Sequence, residues 1–408
     1  MNVPVYKLPK NNNLDIFTKS KHLVITTPFE NRPLFSLGYH HFIDRTRSAL
    51  SITNKLESKN EFYYVVNPYE PNIPNYEDNI KNLSKIYLNL SKDKPDIFSR
   101  DFYKIWETAF LFDILDKTNL NTLVLNDLES EVEADYENNI AILQGVVYYR
   151  DKFLPTLTKK DQHYVLTNDK NTVIKSIDKN IKSINKLDKD SYDLIITNCS
   201  SKNENEFIDI FINQLIMICE HQNSGGNLIL KVFDTFTMAT IKLLYLLATL
   251  YEEMYIFKPY FSRPSESEKY IILKNFTASS SDIKKLIPKL EEIQKATKTK
   301  NFITDVFIDL EIKPDFINYI KFSNIKLVNQ QQILINEIVK FIKENNYFGD
   351  KYHDFRNQQI EATGLWISNF FPPSNNLYKT NKENLVKLTK TTIDKTILEK
   401  DKFINNLI

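Results

Sequence analysis

Glycine is scarce in this sequence. Only six of the 408 residues are glycine, whereas an average usage of roughly 7% would give about 29. None lies between Gly38 and Gly145. This excludes a glycine-rich ligand loop from that stretch, because such loops need glycine for close backbone approach and positive φ. The two cysteines, Cys199 and Cys219, are too few for a disulfide framework or a cysteine-based zinc site, and they fit a reducing compartment.

Long hydrophobic runs are also missing. No uninterrupted apolar stretch reaches the ~18 residues that a membrane span needs, and residues 1–10 are too polar for a signal peptide. We therefore expect a cytoplasmic protein with no membrane partner. The adjacent His40 and His41 point apart on either a helix or a strand, so we expect no metal site. A hydrophobic content of 42% excludes a wholly disordered chain.

The apolar pattern predicts three parts. Residues 1–95 form an N-terminal helical extension with helices at 34–56 and 76–90. Residues 96–280 form an α/β core, and residues 281–408 form a C-terminal helical region. The net charge is +1; the core is acidic and the two flanks are mildly basic, so an anionic partner meets no global attraction.

Strands and helices alternate through the predicted core. We predict strands at 122–126, 163–167, 193–197, 227–233, 254–258 and 270–274, with helices at 102–112, 136–149, 207–219 and 237–251. The strand at 193–197 is nearly all apolar, which is typical of a central parallel strand. Repeated strand–helix units indicate a mostly parallel sheet covered by helices on both faces.

Three blocks of the core carry polar residues in unusual places. Lys231 falls inside a buried strand, where a lysine is costly unless it is paired or functional. The blocks are Ser99-Arg100 with Lys104, Gly225-Gly226 through Lys231 to Asp234, and Lys258-Pro259 through Ser262-Arg263-Pro264 to Ser267-Glu268. In this order they resemble the FtsJ-like family of ribose 2′-O-methyltransferases, and within it the mRNA cap methyltransferases of eukaryotes and large cytoplasmic DNA viruses.

The resemblance implies a fold, a cofactor and a reaction. The fold is a Rossmann-like, seven-stranded sheet with S-adenosylmethionine at the carboxyl ends of the strands, and the methyl group goes to a ribose 2′-OH. The family's Lys-Asp-Lys-Glu tetrad falls on Lys104, Asn198, Lys231 and Glu268. A 2′-OH is a poor acid, and a lysine whose charged form is disfavoured can accept or position its proton.

Two places depart from the family pattern. Asn198 stands where the family has aspartate, so the amide keeps the shape and one acceptor but loses the charge. The cofactor loop begins at Asn126 and Asp127, our candidate cofactor-binding residues, and has no glycine. Residues 127–137 instead contain six acids, a pattern that is usually a solvated face.

Three functions remain open at this point. The first is a cap-specific RNA 2′-O-methyltransferase. The second is a catalytically inactive member, retained as an RNA-binding or scaffolding subunit of an mRNA capping, polyadenylation or virion complex. The third is a structural protein that reuses the fold without RNA. Lys231 and Glu268 could equally form a purely structural ion pair. We expect RNA with a capped 5′ end, and the capping or polyadenylation machinery, as partners. We expect the protein to act in the cytoplasm, in a viral factory or in a virion.

Overall fold

The structure is a computed structural model. It describes residues 4–12, 15–18, 23–30, 33, 37–56, 58–71, 79–90, 95–125, 133–166, 177–187, 191–198, 203–299 and 301–405.

A large mixed sheet forms the centre of the described residues. Its strands, in chain order, are β1 (Val5–Leu8), β3 (Asn121–Leu125), β4 (Gln162–Leu166), β5 (Ile181–Ile184), β6 (Tyr192–Thr197), β7 (Gln222–Val232), β8 (Tyr251–Phe257) and β9 (Lys269–Phe276). Their order across the sheet is β1-β8-β9-β7-β6-β3-β4-β5. Strands β3 to β7 pair in parallel, while β9 lies antiparallel between β7 and β8. A separate antiparallel pair joins β2 (Val24–Thr27) to β10 (Phe302–Val306).

Helices cover both faces of the sheet and make up most of the C-terminal region, which was predicted to be helical but also contains β10. They are α1 (Asp15–Thr18), α2 (Leu37–Ala49), α3 (Ile80–Tyr87), α4 (Asp101–Phe112), α5 (Glu133–Phe153), α6 (Glu204–His221), α7 (Met238–Leu250), α8 (Ser280–Thr297), α9 (Pro314–Lys343), α10 (Asp350–Phe370) and α11 (Asn375–Asn405). Two 3₁₀ helices follow α2, at Leu50–Lys55 and Ser58–Val66.

Two hydrophobic cores lie on opposite faces of the sheet. Side chains alternate along a strand, so Ile195 of β6 packs with α6, α7 and α8, whereas its neighbours Leu194 and Ile196 pack with α4, α5 and the C-terminal Trp366. Because both faces are buried, the central strands are continuous apolar runs. This explains why they could be recognised from the sequence.

The predicted α/β sheet and C-terminal helices are confirmed. Each of the six predicted core strands occurs within a few residues of its expected place. The sheet nevertheless has eight strands, because β1 adds to the edge beside β8. The domain boundaries at 95/96 and 280/281 stay predictions.

The N-terminal region is not purely helical, which corrects one expectation. Strands β1 and β2 are four residues each, too short for a recognisable alternation. β1 forms because Val5–Leu8 pairs with Met254–Phe257 some 250 positions along the chain, and Lys7 Nζ lies 2.8 Å from Glu253 Oε1 across that pair. Such non-local pairing leaves no local pattern. The same holds for β5, also four residues long and not predicted.

The C-terminal helices are anchored to α4. Trp106 Nε1 of α4 donates a hydrogen bond to the carbonyl oxygen of Phe370 at 2.8 Å, and Trp366 Nε1 donates to Glu107 Oε1 at 3.0 Å. Both indoles are fully buried. The helix that carries Lys104 is therefore enclosed between the sheet and the C-terminal region.

Candidate active site

Helix α4 supplies the first lysine of the site. It begins where the Asp101 N–H donates to Ser99 Oγ at 3.3 Å, and an acid in the first turn suits the positive end of the helix. Lys104 is only 2% exposed. Its Nζ lies 2.6 Å from Asp101 Oδ1 and 2.6 Å from Glu268 Oε1. The lysine is thus held between two carboxylates.

The second lysine and the asparagine come from neighbouring parallel strands. Thr197 of β6 pairs with Leu230 of β7, so the next residues, Asn198 and Lys231, lie side by side at the carboxyl ends of these strands. Lys231 Nζ donates to Asn198 Oδ1 at 3.0 Å. Asn198 Nδ2 in turn donates to Asn139 Oδ1 of α5 at 3.0 Å. This bond orients the amide so that its acceptor, not its donor, faces the lysine.

Glu268 closes the cluster from the antiparallel strand. Lys231 pairs with Tyr270 of β9, which brings Glu268 over the same strand end, with Oε2 3.9 Å from Lys231 Nζ. Burial acts to raise the pKa of Glu268, but the charges of Lys104 and Lys231 outweigh it. The pKa of this carboxyl therefore lies well below its usual value, and Glu268 is ionised.

The structure thus brings the four predicted positions, Lys104, Asn198, Lys231 and Glu268, into one buried cluster drawn from four elements. Their catalytic roles stay a prediction. Asn126 and Asp127, the candidate cofactor-binding residues, lie outside the described residues.

Two members of this cluster were missed by the sequence reasoning. Asp101 lies three residues before Lys104, a spacing that places both on one helix face, and this signal could have identified it. Asn139 left no such signal, because only the packing of α5 brings it to the end of β6.

The loop before Glu268 is held by a buried lysine. Lys258 Nζ donates to the carbonyl oxygens of Glu266 at 2.8 Å and Glu268 at 2.6 Å. Burial lowers the pKa of Lys258 to about 7, although Glu268 and Glu266 oppose that shift. Lys258 thus joins the two ends of the segment 266–268 through its amine.

A second buried titratable group, Glu107, links α4 to the same loop and to α10. Its carboxylate accepts the N–H of Tyr260 at 2.7 Å and that of Phe261 at 3.3 Å, besides the Trp366 indole. Burial raises the pKa of Glu107 to about 8, while these donors and Lys104 act to lower it. The Glu107 carboxyl therefore changes its protonation state as the pH of the solution passes through about 8.

A cavity of about 360 Å³ lies next to the loop that carries Glu268. Its wall includes polar and aromatic side chains from α2, the second 3₁₀ helix, the end of β7 and α9, namely Arg47, Tyr63, Tyr64, Asp234 and Gln331. Arg47 forms a bidentate ion pair with Asp234, at 2.6 and 2.9 Å. The volume lies in the range of small-molecule sites, but Tyr63 is buried and the guanidinium of Arg263 lies 3.3 Å from the centre of the Tyr64 ring.

S-adenosylmethionine, which the resemblance implies, would lie at the carboxyl ends of β3 and β4. There the described strands end in the apolar side chains of Leu125 and Leu166. Asn139 Nδ2 is a buried donor without a hydrogen-bond partner among the described residues. This amide would donate to one polar atom of a bound cofactor. The residues that directly follow Leu125 and Leu166 lie outside the described residues.

Metal and membrane features can be stated only for the part of the chain that is described. There, no group of three or more histidine, cysteine, aspartate or glutamate side chains could hold a metal ion. None of the helices in that part has the length and apolar character that crossing a bilayer requires.

Parts of this chain resemble known proteins. Residues 150–276 match the model of the FtsJ-like methyltransferase family. An uncharacterized protein of Acanthamoeba polyphaga mimivirus is 26% identical over 273 residues, which cover 67% of this chain and 66% of the relative. The cap-specific mRNA (nucleoside-2'-O-)-methyltransferase 1 of Dictyostelium discoideum is 30% identical over 156 residues, 38% of this chain and 20% of that protein. The human enzyme of the same name is 25% identical over 190 residues, 45% of this chain and 22% of that protein.

The chain therefore spans just under two thirds of the mimivirus relative and about a fifth of the cap methyltransferases. The matched segment 150–276 contains strands β4 to β9. It includes Asn198, Lys231 and Glu268, and α4 adds Lys104 from outside it. Together with the sheet, these matches show that the core of the chain is similar to the FtsJ-like methyltransferase family.

Proposed function

We propose that this protein is an RNA ribose 2′-O-methyltransferase that acts at the capped 5′ end of mRNA. The observation that carries the proposal is the buried Lys104–Glu268–Lys231 cluster at the carboxyl ends of the central strands. The relatives named as cap-specific mRNA methyltransferases support RNA as the substrate class.

The proposed chemistry concerns the proton of the ribose 2′-OH. With this hydroxyl against Lys231 Nζ, the O–H bond breaks, the amine in its deprotonated form takes the proton, and the electron pair of the broken bond stays on the 2′ oxygen as the nucleophile. When bound, the cofactor would supply the methyl group that this oxygen accepts. Asn198 Oδ1 and Glu268 Oε2, at 3.0 and 3.9 Å, hold the amine in place and accept its N–H groups. Glu268 also balances the charge that Lys231 gains, and Lys104 keeps Glu268 ionised.

The first test is cofactor binding, because the residues that follow β3 and β4 lie outside the described residues. Isothermal titration of the full chain with S-adenosylmethionine and S-adenosylhomocysteine should give micromolar binding, about −8 kcal/mol. Absence of binding at millimolar cofactor would contradict methyl transfer by the isolated chain.

The second test is methylation of a short capped RNA by Lys231→Met. We expect a loss of about 10²–10⁴-fold, the usual contribution of a positioned acid or base. Lys274→Met is the matched control, because Lys274 lies on β9 outside the cluster and its ion pair with Glu253 is long, at 3.9 Å. Its activity should stay at the wild-type level. Equal activity in the two variants would refute the role of Lys231.

A non-catalytic RNA-binding or scaffolding subunit is the second candidate function. Two observations favour it: Asn198 has no charge to orient Lys231, and the loop that begins at Asn126 has no glycine. This function predicts that capped RNA binds without cofactor, and that binding weakens steeply with salt as counterions are released. A flat salt response would favour the third hypothesis, a structural protein without RNA. Action in the cytoplasm, in a viral factory or in a virion, beside capping or polyadenylation machinery, stays a prediction.

A further inference from the structure

Two arginines of the sequence blocks converge on one carboxylate from the N-terminal region. Arg100 directly precedes α4, the helix of Lys104. Arg263 lies in the connection between β8 and β9, which ends at Glu268. Arg100 Nη2 donates to Glu70 Oε2 at 2.9 Å, and Arg263 Nε donates to Glu70 Oε1 at 2.8 Å. Each arginine thus binds its own oxygen of the same carboxylate, and the chemistry proposed above uses neither of them.

Glu70 is held in place by its surroundings. Its side chain is buried, and Asn67 Nδ2 donates to Glu70 Oε1 at 2.6 Å. The carbonyl oxygen of Asn67 accepts Gln359 Nε2 of α10 at 2.9 Å. The guanidinium of Arg263 also lies over the ring of Tyr64, a contact that favours a cation. The segment that presents Glu70 is therefore fixed both to the C-terminal region and to one of the two arginines.

Glu107 forms a second link between α4 and the β8–β9 connection. Its carboxylate accepts the N–H groups of residues 260 and 261. Arg100 lies four residues before Lys104, and Glu107 lies three residues after it, which is about one helical turn in each direction. The contact between Lys104 and Glu268 therefore joins two elements that are linked both before and after this lysine.

We propose that Glu70 is a positioning residue of the site. It holds the start of α4 and the β8–β9 connection at the separation that the 2.6 Å contact of Lys104 Nζ with Glu268 Oε1 requires. Glu70 lies outside the segment 150–276 that matches the family model, so the N-terminal region of this chain contributes to the site. The effect of Glu70 on turnover rests on the proposed function, whereas its hold on the two elements does not.

The decisive measurement is amide hydrogen exchange of the full chain with Glu70→Gln. Two amides report on the two elements: the N–H of Lys104 donates to the carbonyl oxygen of Arg100 at 3.2 Å, and that of Glu266 donates to the carbonyl oxygen of Arg263 at 3.0 Å. Glutamine replaces one acceptor oxygen by an NH₂ group and removes the charge, so both arginines are held less strongly. Exchange should become about tenfold faster at both reporter amides. Faster exchange confined to the segment of Glu70 itself would overturn the proposal.

Asp161→Asn is the matched control. Asp161 is also a buried carboxylate that holds an arginine: its Oδ2 accepts Arg150 Nε at 2.6 Å, and its Oδ1 accepts the N–H of Leu120 at 2.8 Å. It directly precedes β4, at the amino ends of the parallel strands. Asp161→Asn should lower the unfolding midpoint as Glu70→Gln does, yet leave both reporter amides at the wild-type rate. Faster exchange at the reporters in both variants would mean general destabilisation and would overturn the proposal.

The arginine variants keep the test decisive if Glu70→Gln does not fold. Arg100→Met should speed exchange at the Lys104 amide and leave the Glu266 amide unchanged, because the pair of Arg263 with Glu70 remains; an unchanged Lys104 amide would overturn the proposal. Replacing a buried ion-pair network as a whole is often neutral for stability. Glu70→Gln with both arginines changed to methionine should therefore fold, and failure of this triple variant would also overturn the proposal.

Activity gives a separate arm if the chain methylates RNA. Glu70→Gln should lower kcat on the order of 10²-fold, the cost of a misplacement of about 1 Å, with little change in the KM for capped RNA. Asp161→Asn should leave both parameters unchanged. A rise in KM with wild-type kcat would overturn the positioning role. A chain with no methyl transfer but with faster exchange at both reporters would refute the proposed function and leave the hold of Glu70 on the two elements intact.

Discussion

Glu107 is predicted to make the stability of this protein fall with rising pH. Burial raises its pKa from 4.5 to about 8. The pKa of Glu107 is higher in the folded state than in the unfolded state. Between about pH 4.5 and about pH 8, the native protein therefore holds a proton that the unfolded chain has lost. The contribution to stability is therefore complete below about pH 4.5 and is lost as the pH rises through about 8. At about 1.4 kcal/mol for each pKa unit, the total is about 5 kcal/mol.

The assay is a comparison of wild type and Glu107→Gln by urea unfolding from about pH 5 to about pH 9. Glutamine cannot ionise, so the difference in unfolding free energy between the two proteins isolates Glu107. The wild type should lose several kcal/mol relative to the variant across this range. The lysines whose pKa values burial lowers, Lys258 to about 7 and Lys269 to about 8, act in the opposite direction, but they are present in both proteins.

Glu253→Gln is the matched control for this experiment. Burial acts to raise the pKa of Glu253, but its ion pair with Lys7 prevails and the pKa is lowered. The contribution of Glu253 to stability is thus complete above its pKa in the unfolded chain and is lost only as the solution becomes more acidic. The plot of unfolding free energy against pH should therefore run parallel for Glu253→Gln and wild type from about pH 5 to about pH 9. A parallel Glu107→Gln curve would refute the reasoning, since the buried carboxyl would then have an ordinary pKa.

Further predictions concern packing. Gly226→Ala should destabilise by about 1–3 kcal/mol, since a Cβ there would lie 3.0 Å from the Asp193 carbonyl oxygen. Gly364→Ala in α10, where a Cβ meets nothing within 4 Å, should stabilise by about 0.5–1 kcal/mol. Thermal unfolding of the two glycine variants checks both predictions. Unfolding temperatures that shift in the same direction in both variants would contradict the packing argument. Trp366→Ala should cost about 3–5 kcal/mol and increase hydrogen exchange in α4 as well as α10, because Trp366 binds Glu107. Increased exchange confined to α10 would mean that the C-terminal helices do not support the site.

Local patterns in the sequence were sufficient for the core of the fold. The central strands could be predicted because both faces of the sheet are covered, so that strands such as Tyr192–Thr197 are apolar throughout. Lys231 was conspicuous for the same reason, since a cation within an apolar strand has a large desolvation cost. The resemblance then supplied Lys104, Asn198 and Glu268 as its companions.

Tertiary structure alone decided which groups complete the cluster and what surrounds it. Asp101 and Asn139 are ordinary polar residues in the sequence; they become members because α4 and α5 pack where β6 and β7 end. Strand β1 exists only through pairing with β8, and Trp366 reaches Glu107 across more than 250 positions. Helical and strand periods record burial over a few neighbouring residues. Contacts between distant segments depend on how whole elements dock, and no local pattern encodes them.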